Sequence, residues 1–210
     1  MRKIVVVTLV IASLAAIIGG IIVWQLWQRQ PVADTTRAPV VTHSTDTPSE
    51  EKPDSGYKWQ GGTRDPKKIT ISSIGVDAYL QNVGVDQKSE IAVPNNIHLG
   101  GWFVDSVRPG SKGLSIIDGH LNGNSQDGIF VDLEKVRQGD TYTVEFGDGS
   151  KKQFRVKAVQ TVDLKDAASV LFSQDPSITN QLTLVTCGGV FDRQARLYDK
   201  RVIVISELVT

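Results

Sequence analysis

Seven short runs, none longer than six residues and all rich in Val, Ile, Thr or aromatic side chains, constrain this chain more than any other feature. They are Lys68 to Ile71, Val76 to Leu80, Leu114 to Ile117, Tyr142 to Phe146, Phe154 to Val159, Leu182 to Thr186 and Val202 to Ser206. Branching at Cβ disfavours a helix and suits a pleated strand. Tyr142-Thr143-Val144-Glu145-Phe146 alternates apolar with polar, the period-two pattern of a strand with one face on a core. Asp148-Gly149, between the fourth and fifth runs, predicts a tight hairpin. Helical signals are few: Asp132 to Gln138 stops at Gly139, and Lys165 to Phe172 carries Ala and Leu at helical spacing before Pro176. Seven or eight strands with so little helix predict a mostly β domain, either a closed barrel or a sandwich.

The chain ahead of these runs has two other compositions. Ile4 to Trp24 is 21 residues without a charge, which at 1.5 Å per helical residue spans about 30 Å, the hydrocarbon thickness of a bilayer. It leaves through Trp24 and Trp27, which favour the headgroup zone, where a cleaved signal would have a shorter apolar centre and small exit residues. Residues 1–28 are therefore expected to be a cytoplasmic stub and one uncleaved transmembrane helix. Arg2, Lys3 and the terminal amine precede the span and Arg29 follows it, so the N-terminus is expected inside and the bulk of the chain outside. Residues 29–66 carry Pro31, Pro39, Pro48 and Pro53 among Thr, Ser, Asp and Glu, and are expected to be a disordered linker with too little apolar surface for a core. Residues 67–210 suffice for one domain. The 23 basic and 23 acidic residues balance, which removes the electrostatic argument for nucleic acid.

The chain has a single cysteine, Cys187, delivered by the run Leu182 to Thr186 and followed by Gly188-Gly189. It cannot form an intramolecular disulfide, so outside the cytoplasm it is either a buried filler or a nucleophile. A cysteine nucleophile needs a base or a lowered pKa, and donors for the oxyanion that its attack creates. Of the three histidines, His43 lies in the linker and His98 in a Pro/Asn/Gly loop. His120 leaves Ile116-Ile117-Asp118-Gly119 for Leu121-Asn122-Gly123-Asn124, so histidine and thiol both sit where a strand is expected to end. Asp118 and Asn122 flank His120 and are candidates to orient it. Gly188 and Gly189 are explained by tight backbone alone.

These residues resemble a known family. Leu184-Val185-Thr186-Cys187 is similar to the TLxTC motif of sortases, Gly119-His120 to their strand-end histidine, and Lys200-Arg201-Val202-Ile203-Val204 to the arginine that opens their last strand, in the same order along the chain. The resemblance covers about Lys67 to Thr210. The continuation Cys187-Gly188-Gly189-x-Phe191-Asp192 is most similar to class F or class E-like members. What it implies is a closed eight-stranded barrel with short helices, and a cysteine transpeptidase on the outer membrane face. Such an enzyme cleaves an LPxTG-like sorting signal between Thr and Gly through a thioacyl-enzyme. It then passes the acyl group to a cell-wall or protein amine.

By the same resemblance Cys187 is the nucleophile, His120 the acid and base, and an arginine holds the oxyanion, while Thr186 is expected to line the substrate site. Arg201 is preferred for the arginine. Arg196, ahead of Leu197-Tyr198, resembles an Arg-x-Tyr of some class F members and is its rival; Arg193 matches nothing. Sorting-signal proteins and an amine acceptor are the expected partners, with membrane lipid around the anchor. No cofactor is expected, and with no loop dense in carboxylates no metal ion either. An L,D-transpeptidase is disfavoured because Cys187 has no nearby histidine and no Cys-x-Arg, and a papain-like order would put Cys before His. The alternative is a membrane-tethered β domain that binds a wall component or protein without catalysis.

Overall fold

The computed structural model describes residues 38–209, so the expected span at 4–24 lies outside the described residues. Among the described residues no helix is long and apolar enough to cross a membrane. After a two-residue strand β1 (Val40–Val41) come β2 (Pro66–Ile71), β3 (Val76–Val83), β4 (Gly100–Phe103), β5 (Gly113–Gly119), β6 (Thr141–Phe146), β7 (Lys151–Asp163), helix α1 (Leu164–Leu171), β8 (Asn180–Asp192) and β9 (Leu197–Leu208). The order β3-β2-β6-β7-β9-β8-β5-β4 returns to its start through a β3–β4 pairing. Eight strands thus close into a barrel, and the sandwich is excluded. β1 lies parallel to Asn82 and Val83 of β3.

The inward positions follow the predicted alternation. Tyr142, Val144 and Phe146 of β6 point into a core shared with Ile69, Ile71, Leu80, Phe154, Leu182, Leu184 and Val204. The hairpin between β6 and β7 turns at Asp148-Gly149 as predicted. Gly149 there has φ +81°, and the Asp148 carboxylate accepts the Ser150 amide at 2.9 Å. The helical signal at 165–172 becomes α1. That at 132–138 shrinks to a three-residue 3-10 turn, Leu133–Lys135.

β8 and β9 do not alternate in sequence, and the structure supplies the reason. Their outer face near α1 is also covered, by a second cluster of Val83, Ala92, Phe103, Ile116, Val185 and Ile203 packed with Val162, Val170 and Leu171. A strand buried on both faces selects apolar residues at successive positions rather than every second one.

Three features depart from the sequence reading. β4 was not among the seven runs, because its Gly100-Gly101 start carries no strand propensity. It is Gly-Gly for room: a Cβ at Gly100 would meet the Leu80 side chain at 2.6 Å, and one at Gly101 would meet the Asp118 carboxylate. Cys187 does not end its strand, since β8 runs on to Asp192 with an irregularity between Gly188 and Phe191. The part of the expected linker that is described, residues 38–65, lies on the barrel rather than free of it. Trp59 donates its indole N–H to the Leu80 carbonyl at 2.8 Å, the Tyr57 and Tyr79 rings stand 4.9 Å apart, and β1 adds main-chain pairing.

Leu184 is fully buried in β8 between the barrel core and the strand pairing of the site. Leu184→Ala is expected to lower unfolding stability by about 2–5 kcal/mol, the range for a buried leucine whose cavity does not collapse. Denaturant unfolding checks this, with a fall in midpoint at unchanged slope.

Candidate active site

The site is assembled by register. β5 and β8 run parallel with Asp118 opposite Val185, so the next outward position on each strand line is His120 on one and Cys187 on the other. β9 runs antiparallel to β8 and places Arg201 directly opposite Cys187. Ile116, Val185 and Ile203 all belong to the outer cluster, and alternation puts His120, Cys187 and Arg201 on that same outer face. Thr186 points the other way: it is buried, and its hydroxyl donates to the Gly119 carbonyl at 2.8 Å, joining the two strands one residue short of the thiol and the imidazole.

Arg201 stays half-buried at the head of the core part of β9. Its Nη1 donates to the main-chain carbonyls of Lys200 at 2.8 Å and Tyr198 at 3.2 Å, which ties the guanidinium to its own strand, where its charge acts on the thiol. Arg196 is elsewhere. It occupies the turn between β8 and β9 with φ +54°, 64% of its side chain is exposed, and it pairs with Asp46 at 3.4 Å. Register therefore brings one arginine to Cys187 and leaves the other at the hairpin tip.

The electrostatics favour a neutral resting pair. Burial pushes the Cys187 thiol up, the Arg201 charge pulls it back down, and Asp118 pushes it up again. Burial also pulls the His120 imidazole down, against the hydrogen bond to Pro94 that raises it. His120 Nε2 stands 2.7 Å from the Pro94 carbonyl oxygen. A carbonyl only accepts, so Nε2 carries the proton and Nδ1 the lone pair of the neutral ring. Thiol and imidazole are thereby both disfavoured as ions, and at the thiol alone the permanent charge of Arg201 works against burial.

Asp118 proves to be more than a flank of the histidine. It is 7% exposed, its Oδ1 has no hydrogen-bond partner, and burial raises its carboxyl well above the usual range, toward the uncharged acid. Asn122, the other flank, accepts from the Tyr198 hydroxyl at 2.9 Å and so ties the loop after His120 to β9. His98 and His43 lie outside this cluster; His98 contacts the Glu50 carbonyl at 3.1 Å.

A cavity of about 280 Å³ lies beside Cys187, lined by Thr186, Leu121, Phe130, Val202 and Glu134 among others, and by neither His120 nor Arg201. Thr186 lines this cavity, and its hydroxyl is committed to Gly119. Beyond the thiol, Gly189 has φ +78°, and a Cβ there would run into the Asp199 carboxylate. That carboxylate accepts the Val190 amide at 2.6 Å. Sequence reasoning missed the Pro94 carbonyl as the partner of His120, because a main-chain acceptor leaves no residue-type signal.

Residues 69–209 match the family model described as Sortase domain. Solved structures with the same fold include a lid mutant of sortase A from Corynebacterium diphtheriae, with 22% identity over 72% of this chain and 73% of that one at a TM-score of 0.54. Sortase C-1 from Actinomyces oris is 23% identical over 70% and 75%, with a TM-score of 0.51. A Clostridium perfringens sortase D5 transpeptidase is 21% identical over 73% and 82%, also at 0.51. At these identities the likeness shows the fold alone. A search of curated protein sequences finds no match.

The measurable consequence is in the thiol. Iodoacetamide alkylation of Cys187 is expected to rise with pH through a midpoint above the ordinary cysteine value, because burial opposes the thiolate. Arg201→Ala should move that midpoint higher still, and Arg196→Ala should leave it in place. A midpoint below the ordinary value, or equal shifts in the two variants, would overturn this account of the charges.

Proposed function

We propose, from the premise that the chain belongs to the sortase family, a family of cysteine transpeptidases, that it cuts an LPxTG-like sorting signal between Thr and Gly and transfers the acyl group to an amine. The observation that carries the reading is the cross-strand pair Cys187 and Arg201, with His120 one residue past the end of the adjacent parallel strand β5. Residue order alone put these three in a sequence; register puts them on one face.

The chemistry follows from the groups. The Cys187 thiolate attacks the Thr carbonyl carbon, and the carbonyl oxygen takes up the negative charge. Arg201 donates hydrogen bonds to that oxyanion, a task suited to a permanently charged fork of donors. As the intermediate collapses the carbon–nitrogen bond breaks, and protonated His120 gives its proton to the leaving Gly amine. The thioacyl-enzyme remains. An incoming amine then attacks the thioester carbonyl, neutral His120 takes the proton it loses, and the Cys187 thiolate leaves. Thr186 contributes by its place on the cavity wall.

The reading extends to location and kinship. The uncharged stretch Ile4 to Trp24 supports a single-pass anchor with the N-terminus inside and the barrel outside the cell. Surface proteins bearing a sorting signal and a cell-wall or protein amine are then the partners on that side. Within the family, the Gly188-Gly189-x-Phe191-Asp192 continuation supports a place beside class F or class E-like members.

Two measurements test this. Mass spectrometry of the full-length protein after incubation with a panel of LPxTG-like peptides is expected to show a thioacyl adduct on Cys187. No adduct with any peptide would favour instead a tethered binding domain. In a transfer assay, kcat/KM is expected to be bell-shaped in pH. Its acid limb should lie below the ordinary histidine value and its basic limb above the ordinary thiol value. Arg201→Ala should lower the rate by roughly 10²–10³-fold, the cost of one oxyanion donor, and Arg196→Ala should leave it nearly unchanged.

A further inference from the structure

Two main-chain segments hold His120, and both are fastened to a third that lies far from them in sequence. The first segment supplies the Pro94 carbonyl to the ring. The second is the hairpin that continues from His120 itself: Phe130 N–H donates to the His120 carbonyl at 3.0 Å, Gly128 N–H to Leu121 at 2.9 Å and Gly123 N–H to Gln126 at 2.7 Å. The third is residues 49–51.

Ser49 pairs in parallel with Asn96. Its N–H donates to the Asn95 carbonyl at 2.8 Å, and the Ile97 N–H donates to the Ser49 carbonyl at 2.9 Å. Asn96 Nδ2 reaches the Glu51 carbonyl at 2.8 Å. Glu50 takes the other side. Its carboxylate accepts the main-chain N–H groups of Asn124 and Ser125 and the Ser125 hydroxyl, and its carbonyl accepts Gln126 Nε2 at 3.2 Å. The fit at Gly123 leaves no room for a side chain, because a Cβ there would strike the Glu50 carboxylate.

We propose that Glu50 is a positioning residue of the active site: it ties the Pro94 segment to the hairpin after His120 and thereby sets the orientation of the imidazole. The catalytic consequence rests on the transpeptidase reading above; the structural one does not. A single carboxylate hydrogen-bonded to a surface loop adds little to global stability. Its effect is instead geometric. His120 Nε2 keeps its hydrogen bond only while the Pro94 carbonyl stays within its reach at the ring edge, and a proton donor displaced by about 1 Å loses much of its rate. Ser125, first through its hydroxyl, holds Glu50 below the usual carboxylate range, so the clamp is charged at neutral pH and its hydrogen bonds are of the stronger, charge-assisted kind.

The test uses the full-length protein in detergent micelles with Glu50→Ala, Glu50→Gln and Asp46→Ala. Asp46 lies on the same segment but pairs with Arg196 rather than with the two segments at His120. The readouts are the ¹⁵N resonances of the His120 ring and the single-turnover rate of thioacyl formation on Cys187. Glu50→Ala is expected to shift the Nε2 resonance as its bond to Pro94 is lost. It should also lower the limiting rate by about tenfold with KM within about twofold. Glu50→Gln retains one acceptor oxygen and should fall between, and Asp46→Ala should match the wild type in both readouts. Unchanged ring resonances in Glu50→Ala, or an effect confined to KM, would overturn the proposal. If Glu50→Ala fails to fold, the ring resonances of Glu50→Gln decide. If the wild type forms no thioacyl adduct, the transpeptidase reading falls while the ring resonances still judge the clamp.

Discussion

β5 and β8 lie side by side in parallel, Asp118 opposite Val185, and every feature of the site follows from that pairing. Parallel neighbours leave the barrel at the same end, so the residues just past the paired stretch, His120 and Cys187, emerge together although 67 positions separate them. β9 then pairs antiparallel with β8 and delivers Arg201 opposite the thiol. A slip of one residue in either pairing would turn one of the three into the barrel core. The Thr186 hydroxyl on the Gly119 carbonyl is the contact that pins this register at its functional end.

Covering that face with a second apolar cluster has an electrostatic result. The same burial that makes β8 apolar at successive positions also raises the thiol and lowers the imidazole. The site is thus built to hold an uncharged pair, with Arg201 as its fixed charge and Asp118 as a second desolvated acid beneath it. Burial makes the ionic form scarce, and it also makes each hydrogen bond to that form stronger than it would be in water.

The motifs, their order, the hairpin at Asp148-Gly149 and seven of the strands were legible because each is written in local residue types. β4 was not, since Gly100-Gly101 is selected by the lack of room beside Leu80 and Asp118. The segment 38–65 was misread for a related reason. Its composition forbids a core of its own, yet it needs none: it borrows the surface of the barrel through Trp59, Tyr57 and main-chain pairing. The sequence preferred Arg201 to Arg196 by its place before the last apolar run, and what it did not carry is the register that sets Arg201 opposite Cys187.

Taken alone, the sequence determined the chemistry on offer: one thiol, a histidine just past a strand and an arginine, on a framework whose β-branched residues admit little else. It determined their order as well. Tertiary structure decided which arginine lies opposite the thiol, which tautomer His120 holds, and how the residues ahead of the barrel reach the segments around His120. The reason is that strand register, burial and main-chain hydrogen bonds arise between distant segments. Pro94, Glu50 and Asp118 acquire their roles from what is packed against them, and a string of residue types records that only when the chain has closed on itself.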